Sequence, residues 1–88
     1  MNFSNYLKMN SITLTKTERA KTLLSAGDFM GALAIIRTFR IGFNKEEKRS
    51  IEIAYESLNG HERFYRALGI DTDREIERTR QLLADRYL

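Results

Sequence analysis

No proline occurs anywhere in the 88 residues, and that absence restricts the fold more than any residue that is present. Proline and glycine are the strongest punctuation a chain has, and proline stops helices because it lacks an amide donor and clashes with the preceding turn. Long uninterrupted helices are therefore permitted, and an all-β architecture with many tight turns is disfavoured. The five glycines fall near apparent element boundaries, with Gly31 the exception.

Between those boundaries the apolar residues repeat at helical spacing. Thr15 and Glu18 form a capping-box signature, in which the hydroxyl accepts from the amide three residues on and the carboxylate reaches back. Ala20, Leu23 and Leu24 mark one face of the helix that follows, and Gly27 ends it. Asp28 caps the next helix at once, so the two are expected to fold back as an antiparallel hairpin. Phe29, Ala32, Leu33, Ile36 and Phe39 then recur at three- and four-residue steps with Ile35 beside them, which predicts the central, most buried helix.

After the turn Ile41–Asn44, a second cap pair, Asn44 and Glu47, opens a third helix with Ile51, Ala54, Tyr55 and Leu58 inward. Asn59-Gly60 stops it. A short fourth helix over 62–68 carries Phe64, Tyr65 and Leu68, and Thr72 with Glu75 opens a fifth with Ile76, Thr79, Leu83 and Tyr87 inward and Leu82 alongside. The expected fold is all-α, a compact bundle of about five short helices beginning with the hairpin. Leu33, Ile36, Tyr55, Leu58, Phe64 and Leu83 are expected among its most buried side chains. Residues 14–88 form a single helical domain. Residues 1–13, with Phe3, Tyr6, Leu7, Met9 and Ile12 irregularly spaced, are either a flexible arm or a segment that packs late.

A chain of this length buries roughly 60–65% of its unfolded surface, enough for one core. With no cysteine there is no disulfide framework and no thiolate nucleophile or ligand. Small secreted domains usually need such staples, so a reducing, cytoplasmic setting is expected. The longest apolar run, Phe29 to Ile36, falls far short of the ~20 residues of a membrane span. MNFSNYLKMN lacks the apolar centre of a signal peptide. No membrane association is expected.

The net charge of +3 is unevenly spread. Arg37, Arg40, Lys45, Lys48 and Arg49 crowd residues 37–49 against only Glu46 and Glu47, while residues 62–88 balance six arginines with six acids. Arg37 and Arg40 at the end of the second helix suit its dipole. Lys45, Lys48 and Arg49 in the first turns of the third are disfavoured there by up to about 1 kcal/mol each at low salt. Five cations across one short turn predict a partner-binding basic corner made of these residues.

The stretch AKTLLSAGDFMGAL, Ala20 to Leu33, resembles the turn of a tetratricopeptide-type hairpin. It covers part of one repeat of about 34 residues and no second copy follows, so it implies a local helix-pair solution, not a repeat array. More widely, GDFMGAL, FRIGFNKEEKRSIEIAYESLNG, FYRALGID and LLADRY resemble a family of small proteins common in bacterial prophages and other mobile elements. That resemblance implies a phage or mobile-element accessory protein in a bacterial cell. It implies no activity and no catalytic residue.

Nothing in the residues points to catalysis. His61 is the only imidazole, there is no Gly-x-Ser-x-Gly elbow, and the glycines are single, so no phosphate-cradling loop exists. Glu46-Glu47 and Asp71/Asp73 are pairs at helix starts, where the dipole accounts for them, so no metal or other cofactor is expected. The aromatics Tyr55, Phe64 and Tyr65 are expected in the core and not as a base-stacking platform. A helix-turn-helix centred on Gly42 fits poorly, since Thr38 and Lys48 stand where small or aliphatic residues are wanted. The sequence thus predicts a non-enzymatic interaction module that binds a host or phage protein. The alternative is a small nucleic-acid-binding regulator using the corner at 37–49, and a homodimer that completes its core is compatible with either.

Overall fold

Capping chemistry sets the helix boundaries. In the computed structural model, which describes residues 14–88, α1 runs Lys16–Ser25 behind the reciprocal Thr15–Glu18 box, with Thr15 N donating to Glu18 Oε1 at 3.0 Å and Glu18 N to Thr15 Oγ1 at 3.1 Å. The N-terminal segment at 1–13 lies outside the described residues. Gly27 follows with a φ of +86°, as its place between two helices requires. Asp28 then caps α2, Phe29–Ile36, by accepting from Gly31 N at 2.8 Å. That bond also accounts for Gly31 within α2, because a Cβ there would clash with the Asp28 carboxylate.

α3, Lys45–Glu56, starts from the expected Asn44–Glu47 box. Its helical φ/ψ path breaks at Asn59-Gly60, where the stop was expected, but hydrogen bonding bridges the break. The hydrogen-bonded run continues through a π turn, Ser57–His61, into α4, Glu62–Ala67, although Asn59 and Gly60 leave helical φ/ψ inside it. The described chain therefore makes four helical runs, the third one kinked, in place of five separate helices, with no strand among the described residues. α5, Thr72–Tyr87, is capped by Asp71, which accepts from Arg74 N at 3.1 Å. Thr72, the expected cap, is instead fully buried and donates its hydroxyl to Glu62 Oε2 at 3.1 Å.

α3 packs most extensively on α5, and α1 on α2. Between them lie Ala20, Ala32, Leu33, Ile36, Ile51, Ala54 and Leu83, each at most 2% exposed, with Phe43 closing one end. Each buried Leu or Ile contributes roughly 1.5–3 kcal/mol. The inward face of α3 follows Ser50, Ile51, Ile53, Ala54 and, one turn on, Ser57. It is rotated from the expected stripe, so Tyr55 sits at its edge and Leu58 is 41% exposed. Phe64, expected inside, is 61% exposed. Across the gap to α5, Ser50 Oγ donates to Glu75 Oε1 at 2.7 Å.

Candidate functional site

The corner between α2 and α3 is shaped by where α2 ends. Arg37 is its C-cap residue, and Thr38 and Phe39 turn back tightly, their amides donating to Ile35 O and Ile36 O at 3.0 Å each. Arg40 therefore lies beyond the helix, not in its last turn as expected. Gly42, at φ +101°, reverses the chain so that Phe43 drops into the core. Its ring stacks on Phe39 with centroids 6.5 Å apart and meets Tyr87 edge-on at 6.3 Å. With the aromatics on either side turned inward, the residues between them point out. Arg40 is exposed, and Ile41 is 84% exposed.

Arg86, which sequence reasoning did not assign to the corner, braces this turn. It donates to the Gly42 carbonyl, lies 3.9 Å from Glu47 Oε1, and spreads its guanidinium 4.6 Å from the centre of the Phe43 ring.

The five predicted cations divide into two groups. Arg37 is committed internally, donating to both Glu52 oxygens at 3.1 and 2.7 Å and lying 4.4 Å over the Tyr55 ring. This forked pair raises the guanidinium pKa and lowers that of the Glu52 carboxyl, with the hydrogen bonds between them the largest cause of each shift. About a third of each side chain remains in water, so the pair contributes at most about 1 kcal/mol. Lys48 Nζ donates to the Arg40 carbonyl at 2.9 Å and so closes the turn. Arg40, Lys45 and Arg49 are exposed, and their side chains make no ion pair or hydrogen bond among the described residues.

A further cation comes from far along the sequence. Lys16 Nζ, at the start of α1, donates to Thr38 Oγ1 at 3.2 Å, while the Thr38 hydroxyl donates to Ile35 O at 2.6 Å. Lys16, Thr17, Thr38, Phe39, Arg40 and Ile41 line an open groove of about 340 Å³. Neither Lys16 nor Ile41 was legible as part of the corner. Lys16 needs the α1–α2 pairing to reach it, and an isolated isoleucine in a turn carries no signal of its exposure.

The other residues considered at the sequence level have local roles or none visible. Glu47 and Asp71 serve as caps, and Asp73 lies 3.3 Å from Arg66. Among the described residues no group of three or more His, Asp or Glu side chains is placed to hold a metal ion. His61 is exposed at the end of the π turn. Tyr65 donates its hydroxyl to the Glu56 carboxylate, and that bond to an anion is the main reason its pKa is pushed up to about 12. No described helix is long and apolar enough to cross a membrane. Comparison with protein-family models, with curated proteins and with solved structures returns no match.

Proposed function

We propose that the chain is a non-enzymatic interaction module that acts in the cytoplasm by binding a protein through Arg40, Ile41, Lys45 and Arg49. The observation that carries this reading is Ile41. An aliphatic side chain 84% exposed that lines one groove with Lys16 and Arg40 gives nothing to a phosphate backbone. It does supply the apolar centre that protein interfaces place inside a charged rim. The α1–α2 pair is read as an antiparallel hairpin, supported by Lys16 at the start of α1 reaching Thr38 just past the end of α2. The break in helical φ/ψ at Asn59 and Gly60 supports counting the bent 45–67 run as two helices, and so a bundle of five. The likeness to prophage proteins supports an accessory role for a phage or mobile element.

Nucleic-acid binding is the competing reading, favoured by the same three unpaired cations, and salt separates the two. Neutralising three phosphates makes affinity fall roughly 40-fold between 50 and 200 mM salt, whereas an interface centred on Ile41 weakens far less. The test is capture from nuclease-treated bacterial lysate by the parent, by Ile41→Ser, and by Arg40→Gln/Lys45→Gln/Arg49→Gln. A protein retained by the parent and lost from both variants is expected. Retention that disappears with nuclease and ignores Ile41→Ser overturns the reading.

A further inference from the structure

The groove beside Ile41 defines the partner's chemistry more closely. We propose that the groove between the start of α1 and the α2–α3 turn docks a short acidic segment of a partner protein. An aliphatic or aromatic side chain of that segment lies on Phe39 and Ile41, and its carboxylates meet Lys16 and Arg40. This rests on the protein-binding reading above.

Charge complementarity carries the assignment. Two of the six lining residues are cations and none is an acid. The only acid of α1, Glu18, is closed into the capping box with Thr15. Lys16 is held in place, because the Thr38 hydroxyl spends its proton on Ile35 O and turns a lone pair to the ammonium. That bond uses one of three ammonium donors and leaves two for a ligand. Arg40 adds a planar fork matched to a carboxylate. Between the cations, half-buried Phe39 and exposed Ile41 offer an apolar floor and edge. The occupant that satisfies both is acidic residues flanking one large apolar residue. Residues 1–13 of the same chain contain Lys8 and no acid, so their charge does not match the groove.

Selection from a displayed library of random heptapeptides on the full chain tests this, followed by direct titration of the best synthetic peptide. Enrichment of two or more Asp or Glu around an aliphatic or aromatic residue is expected. Its affinity should drop about tenfold in Lys16→Gln/Arg40→Gln, since each exposed ion pair is worth roughly a factor of two to five and the two multiply, and less than about threefold in Lys45→Gln/Arg49→Gln. Amide chemical shifts of Thr17 and Thr38–Ile41 should move on titration. Acidic peptides that lose affinity only in Lys45→Gln/Arg49→Gln overturn the groove while the protein-binding reading stands. No acidic enrichment, together with tight binding of a 20-residue oligothymidylate, removes both. Nuclear Overhauser contacts from residues 1–13 to Phe39 and Ile41, with no peptide bound, hand the groove to the chain's own N-terminal segment and overturn the proposal.

Discussion

α3 and α4 belong to one hydrogen-bonded run, yet they do opposite things with their apolar residues. α3 buries Ser50, Ile51, Ile53 and Ala54, whereas α4 buries nothing. Between them Asn59 (φ −100°, ψ 18°) and Gly60 (φ +101°, ψ 2°) break the helical path. Beyond that point α4 meets α5 through polar links, Thr72 to Glu62 and Arg66 to Asp73, with Arg66 also paired to Glu62 inside α4. Arg66 first, and Thr72 second, lower the pKa of the Glu62 carboxyl. A continuous ladder of backbone bonds therefore does not guarantee a continuous buried face. The break at Asn59 and Gly60 marks where the buried face of α3 ends.

The sharpest way to break this contrast is to empty the α3 side. Ile51→Ala removes a side chain that is 2% exposed and should lower stability by roughly 2–5 kcal/mol in chemical denaturation. A shift below about 1 kcal/mol would show that α3 is not the buried arm. At the kink itself, a Cβ on Gly60 meets no atom within 4 Å, so only its positive φ is at stake. Gly60→Val should cost about 1–2 kcal/mol, and an unchanged melting midpoint would mean the run is straighter than described. On the α4 side the effect should nearly vanish. Phe64→Ser should change stability by about 0.5 kcal/mol or less, and a loss comparable to that of Ile51→Ala would erase the distinction between the arms.

What the sequence made legible was local. The capping pairs Thr15–Glu18 and Asn44–Glu47 lie three residues apart, and both form as expected. The central place of Leu33 and Ile36 follows from their spacing, and both are buried. The failures all required knowing what packs opposite. Leu58 was read as core from its spacing and Phe64 as a large aromatic, but the inward face follows Ser50, Ile51, Ile53, Ala54 and Ser57 instead. Asp71 and Thr72 are both competent N-caps, and the choice went to Asp71 once Thr72 was drawn inward to Glu62. At the corner, the crowding of cations was visible, but which would be tied down was not. Arg37 depends on Glu52 fifteen residues away and Lys48 on a carbonyl eight residues back.

Arg86 holds the Gly42 carbonyl across 44 residues of sequence, and this has a bearing on the order of assembly. During synthesis the α2–α3 turn leaves the ribosome well before the residue that braces it. Contacts of such separation carry a large loop-closure entropy and form late. The outward posture of Arg40 and Ile41 is thus a property of a chain extended through α5, and a nascent or truncated product would present the same residues on a looser turn. A partner that needed the turn in its braced shape would engage only molecules in which α5 has docked.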